Sequence, residues 1–171
     1  MNLKKHRVVF RATGEVWQLQ YRQTPGLDIV IRPSLTASGL CVVFAGDCDN
    51  RPLLKKAMVE WLKGVGKRQL MPRMWALSEQ LALPINRVVI RHQKTRWGSC
   101  SSKRYINLNA NLLFLQPMQM RYVMIHELCH TVYMNHSAAF WALVEQFEPD
   151  YRCLDKSIDR TERLIPAWAG H

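Results

Sequence analysis

Three histidines and a glutamate in the string HELCHTVYMNH, residues 126–136, carry the strongest chemical signal in the chain. His126, Glu127 and His130 form H-E-x-x-H. Positions four apart on a helix lie about 40° apart around its axis, so both imidazoles would project from one face. Two neutral imidazoles so placed can bind one zinc ion. Glu127, beside the first, can take a proton from an attacking water without being a ligand. The plainer reading is a helix with two ordinary histidines and a surface glutamate. It fits poorly with Val123, Met124, Ile125, Leu128 and Val132 around them, because charge buried there needs a partner. A catalytic zinc site has three protein ligands and one open position. His136 is the leading third ligand, since six residues let the helix end and the chain turn back; Glu145, Glu148 and His92 are the alternatives. Cys129, about 100° around the helix from His130, reads as a core thiol.

Upstream, KTRWGSC (94–100) offers groups that could serve the same reaction. An edge strand beside a metal-binding helix can hold an extended polypeptide by backbone hydrogen bonds. Trp97 would pack against the helix, and Gly98 would allow close backbone approach. Substrate contact by Arg96, Trp97 and Gly98 stands here beside a simpler reading, a tryptophan-anchored bend in the core. A developing oxyanion needs a donor, and Arg96, Tyr105 and Tyr133 are the candidates.

HELCHTVYMNHSAAFW resembles the H-E-L-x-H-x-x-x-x-x-H-S-x-x-F-W signature of the YgjP-like metallopeptidase family, a relative of the SprT-like and WLM zinc proteases. IRHQKTRWGSCSSKRYINLNANLL (90–113) resembles the R-x-x-K-x-R-W-G-S-C-S block of the same family, in the same order and separation. The likeness is strong over 86–151 and one of pattern only over 1–83. It implies a zincin-like core, zinc held by His126, His130 and His136, Glu127 as general acid and base, and a polypeptide substrate. The chain departs from the family at Ala110-Asn111, where a Trp-Arg pair is common; that bears on substrate contacts and not on the metal.

These groups need elements to position them. RVVF (7–10), VWQLQYR (16–22), DIVIRP (28–33) and LCVVFAG (40–46) are rich in β-branched and aromatic residues. Thr13-Gly14, Pro25-Gly26 and Ser38-Gly39 punctuate them, and the pattern predicts an antiparallel meander. From Leu53 the apolar period becomes helical, through Ala57, Met58, Trp61, Leu62 and Val65. Gly64, Gly66 and Pro72 predict a kink there, or two helices ending near Leu83. NRVVIRH (86–92) and RYINLNA (104–110) alternate as strands. One helix follows Pro117, and another starts near Asn135–Ser137 and stops at Pro149. The expected architecture is one α+β domain over 1–171. It has N-terminal antiparallel strands (1–50), a basic helical segment (51–83), a zincin-like catalytic core (84–151) and a C-terminal tail (152–171).

At 171 residues, 48% hydrophobic and 22% charged, the chain suits one globular domain and excludes collagen-like or low-complexity classes. No apolar run is long enough to span a bilayer, and no signal-peptide pattern follows the charged start. Five scattered cysteines fit a reducing compartment, so the cytoplasm is expected. The net charge of +11 is uneven: residues 1–105 hold 19 Lys and Arg against 6 Asp and Glu, and residues 106–171 hold 5 against 7. The stretch 84–105 contains no acid. A face tuned to anions follows, and nucleic acid is a candidate partner, although no helix-turn-helix, zinc-finger or RNP-like block is present. Three functions remain open. Zinc-dependent hydrolysis of peptide bonds leads. Hydrolysis of a nucleoside triphosphate is second, motivated by the basic stretch but lacking a Walker loop. A non-catalytic, zinc-stabilised, DNA-associated module is third, and would need a fourth protein ligand on the metal.

Overall fold

A computed structural model describes residues 5–170, apart from the side chains of Lys5 and Glu162. Strands β1 (Lys5–Phe10), β2 (Glu15–Gln23), β3 (Val30–Thr36) and β4 (Gly39–Gly46) form one sheet in the order β1-β2-β4-β3. The pairs β1–β2 and β3–β4 are antiparallel, whereas β2 and β4 run parallel, so the sheet is not the expected meander. The reason lies in where the apolar side chains fall. β4 buries Cys41, Val42 and Phe44 and takes an interior place. β3 leaves Val30 and Leu35 exposed and contains Pro33, which has no N–H for a central ladder.

A second sheet, β5 (Arg87–Arg91), β6 (Gly98–Cys100) and β7 (Tyr105–Asn109), has the order β5-β7-β6. β5 runs parallel to β7, and β6 lies antiparallel on its other side. Between the sheets runs α1 (Arg51–Gln80), one helix rather than two. Gly66 is not a breaker but a contact: a Cβ there would stand 2.9 Å from Ile90 Cγ2, so the glycine lets α1 close on β5. Pro72 cannot donate to the Arg68 carbonyl. Beside that gap, the Arg73 guanidinium donates to the Gln69 carbonyl at 2.7 Å. Buried Trp61, Leu62, Leu70 and Met74 hold the helix on both sides of the interruption.

A short 3-10 helix (Ala110–Phe114) leads into α2 (Pro117–Cys129), α3 (Ala138–Phe147) and α4 (Tyr151–Glu162). The C-terminal tail is therefore built around a helix, and α4 clamps α2 by polar contacts. Gln119 Nε2 donates to Ser157 Oγ at 2.7 Å, and the Tyr122 hydroxyl donates to Asp155 at 2.9 Å. A single apolar core runs from Val8 to Ala169. No helix among the described residues is long and apolar enough to cross a membrane.

Arg121 on α2 donates to Glu148, at the end of α3, at 2.7 Å. The Glu148 side chain is 7% exposed, so removing its partner leaves a nearly buried charge. Arg121 is itself 39% exposed, which lets water screen part of that loss. Arg121→Ala is expected to cost about 1–3 kcal/mol, or roughly 3–10 °C in Tm. Adding Glu148→Gln should restore part of the loss, and thermal unfolding of the single and double variants checks it.

Candidate metal centre

Helix α2 starts at Pro117, where the missing N–H costs nothing, and Gln119 Oε1 accepts from the Gln116 N–H at 2.9 Å. Met120, Tyr122, Val123, Met124, Ile125, Leu128 and Cys129 are all buried, so the helix is enclosed on most of its circumference. His126 and Glu127 interrupt that apolar surface, and His130 is the C-cap. The helix ends in two turns without a glycine, with Thr131 Oγ1 donating to the Leu128 carbonyl at 2.7 Å. The chain then reverses to Ser137, whose side chain accepts from the Phe140 N–H and starts α3. His136 precedes that cap by one residue, so the cap fixes where its imidazole stands.

One ring nitrogen from each of His126, His130 and His136 lies within 4.8 Å of the other two. His126 Nε2 and His136 Nε2 are 3.1 Å apart. A tetrahedral ion with bonds of about 2.1 Å sets its ligand atoms about 3.4 Å apart, so this triangle has the size of a metal site. Tautomers fit as well. His130 Nδ1 lies 2.9 Å from the Tyr133 carbonyl, which can only accept, so Nδ1 carries the proton and Nε2 presents its lone pair. Burial, then the neighbouring imidazoles His130 and His136, push the His126 ring down to about 4, which keeps it neutral at physiological pH. His130 is shifted down too, mainly by burial.

Aromatic rings fix the imidazoles. Phe140 stacks on His130 with centroids 4.5 Å apart, and Trp141 stacks on His136 at 5.5 Å. Trp141 in turn stacks on Tyr151, the first residue of α4. His136 is exposed and His130 buried, so the cluster opens to solvent on one side.

Glu127 is 6% exposed. Burial pushes its carboxyl up to about 8, and the Arg96 charge pulls in the opposite direction. Its neighbour is the backbone of β6: a Cβ on Gly98 would stand 2.7 Å from both Glu127 Cγ and Oε1. The close approach expected of Gly98 is thus made to the glutamate. Asn109, 3% exposed at the end of β7, holds this segment. Its side-chain amide donates to the Gln93 and Arg96 carbonyls at 2.8 and 2.9 Å, and its N–H donates to the Trp97 carbonyl at 2.8 Å. Nothing in the sequence pattern gives Asn109 this role; it reads as the last polar position of an alternating strand.

Other expected residues fall elsewhere. Tyr105 stands at the start of β7 under the Arg87 guanidinium, three positions before Leu108, the partner of Gly98. Tyr133 meets the cluster through its carbonyl. Of the alternative ligands, Glu148 pairs with Arg121, His92 bonds the Ala169 carbonyl, and Glu145 lies on a separate cavity with Arg152. None belongs to the histidine group. Ala110 and Asn111 are buried, with Asn111 Nδ2 donating to the Ala169 carbonyl.

The model of the YgjP-like metallopeptidase domain matches residues 7–161. The metallopeptidase zymogen abylysin of Pyrococcus abyssi is 28% identical, over 50% of this chain and 87% of that one, with a TM-score of 0.44. None of the curated proteins compared matches the chain.

Proposed function

Since the chain belongs to the YgjP-like metallopeptidase family, we propose that its metal is zinc, held by His126, His130 and His136, and that Glu127 is its acid–base residue. The observation that carries this reading is the convergence of three imidazole nitrogens beside a buried carboxyl. Three imidazole nitrogens suit zinc and leave a fourth position open. When bound there, zinc would polarise the scissile carbonyl and acidify the attacking water. Glu127 takes the proton of that water and returns it to the leaving amine, while Gly98 limits where its carboxyl can stand. Arg96, whose charge Glu127 feels, is assigned to the negative charge forming on the carbonyl oxygen. Trp97 is assigned to the path of an extended polypeptide along β6, and Gly98 to the position of the Glu127 carboxyl. Tyr105 could touch only a more distant part of that polypeptide. The five cysteines are unbridged, which accords with a cytoplasmic protein.

The test is metal content with and without His136→Ala. Purified protein should carry one zinc per chain, and the variant should bind it at least about 100-fold more weakly, since loss of an outer-shell partner alone costs 10–100-fold. Unchanged stoichiometry and affinity would remove His136 from the ligand set. Unfolded polypeptides and nucleoside triphosphates should be assayed side by side, before and after chelation. Turnover of nucleotides alone would replace the peptidase reading with phosphoanhydride hydrolysis.

A further inference from the structure

A cavity of about 630 Å³, within the size range of ligand pockets, is lined by the segment that leads into β6. Trp97 lines it, and the next residue, Gly98, is the one that touches Glu127. Three exposed cations face it from two directions: Lys94 and Arg96 from the segment before β6, and Arg163 from just beyond α4. Asp159 on α4 is the one acid among the described lining residues. None of the three cations is in an ion pair among the described residues. The lining is therefore net positive, and within the pocket the low-dielectric walls strengthen that field.

The wall has a second property. Gln93 Oε1 and Asn111 Oδ1 are buried acceptors with no hydrogen-bond donor. Asn111 Nδ2 is committed to the Ala169 carbonyl, which fixes which end of that amide lacks a partner. Both oxygens are covered in the empty pocket, so an N–H reaches them only where the side chains turn as a ligand enters. Cations outside and unmet acceptors within call for a ligand with both a negative group and N–H donors. A fully ionised phosphate has the first and not the second. A polypeptide bearing a carboxylate has both.

We propose that this cavity is a substrate subsite that selects a polypeptide carboxylate, with Lys94 and Arg163 as its counter-charges. It rests on the peptidase reading for the kind of ligand, and it adds the side-chain class that the enzyme prefers. The carboxylate has two sources, an Asp or Glu side chain or the chain terminus, and they are separable by experiment.

The measurement is fluorescence anisotropy of labelled hexapeptides on metal-loaded Glu127→Gln protein. The probes are a Glu-containing peptide with an amidated end, its Gln counterpart with an amidated end, and the Gln counterpart with a free end. At least one carboxylate peptide should bind ten or more times tighter than the amidated Gln peptide, and which one identifies the source. Lys94→Ala with Arg163→Ala should erase that preference. Lys56→Ala with Lys67→Ala, which removes the same charge from exposed positions on α1, should keep it. Equal binding of all three peptides overturns the proposal, as does a preference that survives the pocket variant or is lost equally in the α1 variant. Pyrophosphate binding tighter than every peptide also overturns it, in favour of a phosphate site. A retained peptide preference in a wild-type protein that cleaves no polypeptide would leave the subsite standing and remove the peptidase reading instead.

Discussion

Glu127→Gln should leave zinc bound at full stoichiometry and lower kcat by about 10²–10⁴-fold, the range that a positioned general acid–base contributes. Glutamine keeps the shape of the side chain and its packing against Gly98, where a Cβ would already come within 2.7 Å, so the fold has no reason to change. What it loses is the ability to take a proton. The buried carboxyl is pushed up to about 8 in the metal-free site, with Arg96 opposing. A dication alongside adds a far stronger pull in the direction of Arg96 and favours the ionised base. KM should move little, because the carboxyl is enclosed by α2 and β6 and its task belongs to the transition state. Metal analysis and a quantitative peptidase assay check both halves. Full activity would remove Glu127 from the chemistry; loss of metal would make it a structural support.

Much of this site can be read from residue spacing, because its geometry is local. His126 and His130 lie four apart on one helix, and their ring centroids are 5.0 Å apart. His136 follows from a helix end and a Ser137 cap, both visible as residue types. What spacing cannot convey is which segment comes back to meet them. Gly98 reads as a close approach with no named neighbour, since its contact with Glu127 spans 29 positions and depends on sheet order. Asn109 is silent for the same reason. The three hydrogen bonds it donates to this segment reach 12 to 16 positions back to carbonyls, which every residue type offers equally.

The fold divides along the same line. Element type follows local composition, so strands in the first fifty residues and helices after Leu53 and Pro117 are legible. Order within a sheet is not, because it depends on which strand buries both faces. Val30 is 50% exposed on the edge strand while Phe44 is fully buried on the neighbouring one, yet both sit in short apolar runs. Local breakers mislead where tertiary contact overrides them. α1 passes through Gly66 because β5 needs the space a side chain would fill, and through Pro72 because the core holds both halves. The tail is the reverse case: α4 is mostly polar by composition, and its Tyr151 and Ile158 become a buried face only in the packed fold, where Tyr151 stacks on Trp141 of α3.

Gly98→Ala gives the second large effect, and it separates positioning from folding. The added Cβ would meet Glu127 Cγ and Oε1 at 2.7 Å and Cδ at 2.9 Å. Those atoms belong to a side chain that can swing away, so the strain falls on the Glu127 rotamer more than on the backbone. A misplacement of about 1 Å in a catalytic group costs on the order of 10²-fold, and kcat should fall by about that factor with zinc binding intact. Gly66→Ala is the contrasting case. Its Cβ would press on Ile90 Cγ2 at 2.9 Å within the core, costing about 1–3 kcal/mol of packing. The helix-propensity gain of about 1 kcal/mol offsets part of that, and the remainder should appear as a lower Tm with normal kcat. The decisive measurement is the double variant. If Gly98 acts through Glu127, Gly98→Ala in a Glu127→Gln background should lower the residual rate by no more than about twofold, because the group it displaces no longer works. A further hundredfold loss there would mean that Gly98 serves the substrate directly, as the floor on which an extended polypeptide lies along β6.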